Sequence, residues 1–118
     1  MRVMNQAKSA FDSITSHVAI DIDTRKGSSA GRSAGLGLVL TAETTNGILV
    51  SGESCMIPGE KNPNLAGEIA QKATDKLFQE IFRGCSVDES TQSMLLIHMA
   101  LSTRSVSKVL LPYPSDYM

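Results

Sequence analysis

The stretch from Gly31 to Cys55, GRSAGLGLVLTAETTNGILVSGESC, constrains the fold more than any other part of the chain. Leu36, Leu38, Leu40 and Ala42 recur at every second residue, with Gly37, Val39, Thr41 and Glu43 between them and after them. Side chains of a strand alternate between its faces, so this pattern predicts a strand with one face buried. Thr44-Thr45-Asn46-Gly47 follows. Asn-Gly is a strong hairpin signal, because both residues tolerate the positive φ that a type I′ turn requires. Ile48 and Val50 continue the apolar face on the return strand, and Ser51 and Glu53 continue the polar one. The expectation is a hairpin closed by a type I′ turn, its apolar face covered by the flanking helices.

Those helices can be read from spacing. Val3, Ala7, Phe11 and Ile14 lie four, four and three apart, one face of a helix over Arg2 to Thr15. That helix starts almost at the first residue without an N-cap, as in a chain cut from something longer. Val18, Ile20 and Ile22 alternate with Ala19, Asp21 and Asp23, which predicts a strand over Ser16 to Asp23. Thr24 to Gly35 is a loop by composition. Met56 to Pro63 is a connection broken by Pro58-Gly59 and Asn62-Pro63. Asn64 is the predicted N-cap of a helix over Leu65 to Arg83, with Ala66, Ile69, Ala70, Ala73, Leu77, Phe78 and Ile81 on one face. Gly84 is its expected stop. Asp88 and Ser90 are candidate caps for a third helix ending near Leu101, with the acids Asp88 and Glu89 favourable at its positive end. That helix is apolar almost all round at Met94, Leu95, Leu96, Ile97, Met99 and Leu101, which predicts burial between layers. Val106 to Leu111 reads as a last strand, ended by Pro112 and Pro114. The order α-β-β-β-α-α-β predicts an α+β fold, a two-layer unit with helices packed on one face of a mixed four-stranded sheet.

Bulk properties exclude several functions. With 118 residues the chain makes one domain or a piece of one, and its 42% hydrophobic content is that of a globular protein. A net charge of −1 gives no whole-chain field to attract nucleic acid or an acidic membrane, so any contact with RNA must use a local patch. No apolar run approaches the roughly 20 residues of a membrane span. Two isolated cysteines, Cys55 and Cys85, form no metal or redox motif and fit a reducing compartment.

Two basic clusters are candidates for phosphate contact. Arg25, Lys26 and Arg32 surround the glycine-rich loop, where exposed backbone N–H groups can form an anion nest and the loop itself holds no acid. The competing reading is a solvated connection whose glycines allow tight turns. The loop is not a P-loop, since it opens a strand rather than a helix and has no Gly-Lys-Ser/Thr. Arg104 and Lys108 form the secondary cluster. His98 lies in the apolar run and reads as a satisfied core histidine, whereas His17 at a strand start reads as exposed. Neither has an Asp, Glu or Cys at ligand spacing, so no metal site is expected. Asp21, Asp23, Glu43 and Glu53 read as a solvated sheet face.

Several segments together carry a resemblance. GRSAGLGLVLTAETTNGILVSGE, a helix ending in LFQEIFRGCSVDESTQS, and SVSKVLL resemble the C-terminal part of the RNA 3′-terminal phosphate cyclase superfamily, most closely its cyclase-like, ribosome-biogenesis branch. The resemblance covers nearly the whole chain. It implies a protein roughly three times this length, of which residues 1–118 are a single partial domain, the C-terminal repeat. The enzymes attach AMP covalently to a histidine at the start of the helix corresponding to Asp88–Leu101. That position falls on Ser90, or on Thr91 if the count slips by one, and neither hydroxyl replaces an imidazole without an activating base. The resemblance therefore implies a non-catalytic factor without a cofactor, acting in 18S rRNA maturation in the small-subunit processome of the nucleolus. The implied partners are a nucleolar GTPase and pre-rRNA. The rival expectation is an enzyme, either an RNA 3′-terminal phosphate cyclase or an RNA-processing endonuclease.

Overall fold

The computed structural model describes residues 2–12, 14–15, 17–33, 35–57, 59, 62–84, 86–103, 106–111 and 114. Its elements are α1 (Arg2–Phe11), a 3-10 turn (Gly27–Ala30), β1 (Gly37–Glu43), β2 (Leu49–Cys55), α2 (Leu65–Arg83) and α3 (Gln92–Leu101). The hairpin forms as the alternation requires. β1 and β2 pair antiparallel from Gly37↔Cys55 to Glu43↔Leu49, with Leu40 opposite Gly52 and Ala42 opposite Val50. Leu38, Leu40 and Ala42 are half-buried, and Val50 and Gly52 are buried.

The turn differs from the expected type I′. Gly47 has φ 78°, and no described residue other than glycine has a positive φ, so Asn46 does not adopt the conformation that a type I′ turn demands. Gly47 N–H bonds to Thr44 O at 2.9 Å, and Thr44 N–H bonds to Ile48 O at 2.8 Å. This is a four-residue turn over Thr44–Gly47 whose left-handed fourth residue returns the chain to the ladder. The Thr44 hydroxyl oxygen accepts the Ile48 N–H at 3.0 Å and pins the far side.

α2 lies directly on the inner face of the hairpin. Ile69, Ala70, Ala73 and Leu77 are at most 2% exposed. Leu77 packs with Val50, Phe11, Leu40, Ala42 and Ile48. α1 joins the same layer, with Val3 and Ala7 against Ala70, Leu38, Leu40 and Ala66. The rings of Phe11 and Phe78 meet 5.2 Å apart at 57°. Burying a leucine of this kind contributes about 1.5–3 kcal/mol. Gly52 permits the closeness of α2, since a Cβ there would fall 2.4 Å from Ala73 O and 2.5 Å from Leu77 N.

Helix ends are partly as expected. Gly84 stops α2 with φ 65°, its N–H bonded to Ile81 O. Asn64 holds the N-cap position but its side chain caps nothing. Asn62 acts instead, its Oδ1 accepting Asn64 N–H at 2.8 Å while its Nδ2 donates to Glu68. α1 ends at Phe11, short of the expected Thr15.

Four expectations are corrected. The sheet among the described residues has two strands, not four. Residues 17–23, the described part of the strand expected over Ser16 to Asp23, form no strand, and Val18, Ile20 and Ile22 are 36%, 43% and 62% exposed. Residues 106–111 likewise form no strand, although Leu110 O accepts Ser86 N–H at 3.2 Å. Alternation makes a strand only where a partner offers a free ladder and a second layer covers the apolar side. Here α1 and α2 cover the hairpin alone. Finally, α3 is not buried between layers, since Met94, Ile97 and Leu101 are 56%, 59% and 76% exposed.

Candidate functional site

The glycine loop is exposed throughout its described residues, as a phosphate contact needs. It is less uniformly basic than its sequence. Arg25 Nε donates to Asp23 Oδ1 at 2.9 Å, so an acid just outside the loop engages one of its three cations. Lys26 precedes the 3-10 turn Gly27–Ala30, and its carbonyl accepts the Ser29 hydroxyl at 2.7 Å. Gly27 and Gly31 bracket that turn with φ 60° and 73°, conformations that favour glycine. Arg32 follows, exposed. Of the secondary cluster, Lys108 is exposed and Arg104 lies outside the described residues.

A second locus emerges at the foot of α3. Ser51 and Glu53 of β2, Lys76, Gln79 and Glu80 of α2, and Asp88, Glu89 and Ser90 line an open cleft of about 280 Å³. Asp88 is its organising group. One oxygen, Oδ2, accepts the Ser51 N–H at 3.1 Å and the Ser51 hydroxyl at 2.7 Å. The other, Oδ1, accepts the hydroxyls of Ser90 at 2.9 Å and Thr91 at 2.6 Å, and Thr91 N–H at 3.0 Å. Burial pushes the Asp88 carboxyl up, but the bonds from Thr91, Ser51 and Ser90 outweigh it and hold the pKa below its usual 3.8. Arg83 bridges the two sides, with Nη1 2.9 Å from both Glu80 and Glu89.

These contacts bear on Ser90 and Thr91, the two positions on which the resemblance places the cyclase histidine. The hydroxyls of Ser90 and Thr91 both donate to a carboxylate that resists protonation, so Asp88 is a poor base for activating either. The cleft also gathers Glu53, Glu80, Asp88 and Glu89 beside Lys76, with Arg83 paired to Glu80 and Glu89. The sequence offered Asp88 and Ser90 as caps of α3, but α3 begins at Gln92 with Thr91 at its N-cap, so both lie in the turn that leads into it. It gave no sign of Ser51, which is 37 residues away and meets Asp88 only through the fold.

The remaining candidates are surface groups. His98 is exposed, against the expectation of a core histidine, because α3 itself is uncovered, and His17 is exposed as expected. Asp21, Asp23, Glu43 and Glu53 are exposed. Among the described residues no group of three or more His, Cys, Asp or Glu is placed to hold a metal ion, and no helix is long and apolar enough to cross a membrane.

A hairpin covered by two helices and followed by a third helix, with hydroxyls gathered on a carboxylate at its foot, has counterparts among known proteins. Residues 1–82 match the insert domain of RNA 3′-terminal phosphate cyclase, and the chain belongs to this family. Its relatives carry a narrower name. The mouse RNA 3′-terminal phosphate cyclase-like protein is 37% identical over 122 residues, covering 99% of this chain and 33% of its own length. A probable cyclase-like protein of Caenorhabditis elegans is 39% identical over 111 residues, covering 92% of this chain and 29% of its own. The rRNA processing protein rcl1 of Schizosaccharomyces pombe is 32% identical over 108 residues, with the same two coverages. The chain thus spans about a third of the length of the relatives it matches.

Proposed function

We propose that the chain is part of a longer, non-catalytic ribosome-biogenesis factor that binds pre-rRNA. The observation that carries this reading is the engagement of Ser90 and Thr91 by Asp88. A cyclase needs a free, unprotonated nucleophile at this place, and here the hydroxyls serve the fold. The relatives' names point the same way, since they are cyclase-like proteins and one is an rRNA processing protein. In the finer reading the factor acts in 18S rRNA maturation within the nucleolar small-subunit processome, docked to a GTPase. Arg25, Lys26 and Arg32 contact RNA phosphates, with Arg104 and Lys108 as a second patch.

The test is adenylylation. Full-length protein is incubated with labelled ATP and assayed for acid-labile covalent AMP. No label is expected above that of a heat-denatured control. Stoichiometric label would establish a cyclase with a displaced nucleophile and overturn the proposal.

A further inference from the structure

The loop between α1 and β1 holds a hydroxyl that phosphate contact alone does not use. Arg25-Lys26-Gly27-Ser28 sets two cations three and two residues ahead of Ser28. No other serine or threonine of the chain has a cation at both places. Ser86 follows Arg83 by three residues, but the Arg83 side chain is only 19% exposed and is already paired with Glu80 and Glu89. Around Ser28 nothing is buried, and the turn Gly27–Ala30 is exposed throughout. Its two hydroxyls differ. Ser29 donates to Lys26 O at 2.7 Å and closes the turn, whereas the Ser28 hydroxyl makes no hydrogen bond among the described residues. A four-residue turn without a buried side chain opens at little cost, so this segment can extend into an enzyme's cleft.

We propose that Ser28 is a phosphorylation site for an arginine-directed protein kinase, and that phosphate there weakens the loop's hold on RNA. A kinase of this class selects its substrates by charge, with carboxylates in the peptide cleft that receive Arg25 and Lys26. The Ser28 Oγ attacks the γ-phosphorus of ATP, and the new O–P bond forms as the bond to the departing ADP oxygen breaks. The hydroxyl proton passes to the kinase's catalytic aspartate. The regulatory half rests on the reading that Arg25, Lys26 and Arg32 contact RNA. Those three cations, offset by Asp23, leave a small positive excess. A phosphoserine brings roughly −1.5 to −2 at pH 7, enough to cancel most of it. Its oxygens also take up the N–H donors that would otherwise hold RNA phosphates.

The test incubates full-length protein with ATP and the catalytic subunit of cyclic-AMP-dependent protein kinase, and locates phosphate by mass spectrometry. Phosphate is expected on Ser28, with incorporation about tenfold slower in the double variant Arg25→Ala, Lys26→Ala. No phosphate on Ser28, phosphate on Ser29 instead, or an undiminished rate in the double variant overturns the proposal. Affinity for a single-stranded RNA is then compared with and without the phosphate. Loss of two phosphate contacts should weaken binding about tenfold at about 0.15 M salt and make the salt slope shallower by about 1.4. Undiminished binding by the phosphorylated protein, where the triple alanine variant at Arg25, Lys26 and Arg32 binds weakly, overturns the switch. If the triple variant binds RNA as the wild type does, the RNA reading fails instead, and the kinase result alone decides the Ser28 site.

Discussion

Ser51 donates both its backbone N–H and its hydroxyl to a single oxygen of Asp88, at 3.1 and 2.7 Å, and so fastens the hairpin to the foot of α3. Asp88→Ala would leave the Ser51, Ser90 and Thr91 donors without their shared acceptor. Hydrogen bonds to a charged group contribute about 1.5–3 kcal/mol each before water replaces them. A loss of about 2–4 kcal/mol is expected, read as a lower urea midpoint at neutral pH. Ser51→Ala removes only one bond and should cost about 1 kcal/mol.

The same carboxylate predicts a pH dependence. Its folded pKa lies below the unfolded value of 3.8, so the folded state favours the ionised form. The stability it contributes is therefore complete above the unfolded pKa and is lost as pH falls through the folded one. Unfolding midpoints between pH 6 and pH 2 should fall on the acid side in the wild type. In Asp88→Asn that fall should be shallower, and an unaltered slope would remove Asp88 as its source.

Gly52 tests the packing of α2 on the hairpin. A methyl group there meets backbone atoms of Ala73 and Leu77, which cannot swing aside as a side chain would. Gly52→Ala should cost about 2–3 kcal/mol through overpacking. Thermal unfolding measures this directly, and a neutral result would mean that α2 stands further from β2.

The turn makes a paired prediction. Gly47 has φ 78° and open space around it, so Gly47→Val strains only the backbone and should cost about 1–2 kcal/mol. Asn46→Ala should stay within about 0.5 kcal/mol, because Asn46 has no positive φ to support. A large loss in Asn46→Ala would restore the type I′ turn.

If the loop contacts RNA as proposed, binding by the full-length protein should respond unequally to its three cations. Asp23 engages Arg25, so Arg25→Ala should weaken binding less than Lys26→Ala or Arg32→Ala, and Asp23→Ala should strengthen it. Removing a cation that neutralises one phosphate makes the slope of log affinity against log salt shallower by about 0.7 for single strands. Equal slopes for the wild type and the triple alanine variant would remove the loop from the RNA site. Folding should change little, since exposed charges contribute little stability.

The sequence by itself determined what depends on neighbours along the chain. The period-two run Leu36–Ala42, the Asn46-Gly47 reversal, the α2 face through Ile69, Ala73 and Leu77, and the Gly84 stop all follow from local sterics and side-chain spacing. Tertiary structure decided the rest. Whether Val18, Ile20 and Ile22 form a strand depends on a partner ladder, and whether α3 is buried depends on a second layer, neither of which its own residues specify. Asp23 reduces the basic loop by pairing with Arg25, and Asp88 finds Ser51 across 37 residues, because folding sets which charges and donors meet. Local pattern fixes the conformation a segment prefers, whereas burial and pairing are properties of what the rest of the chain brings to it.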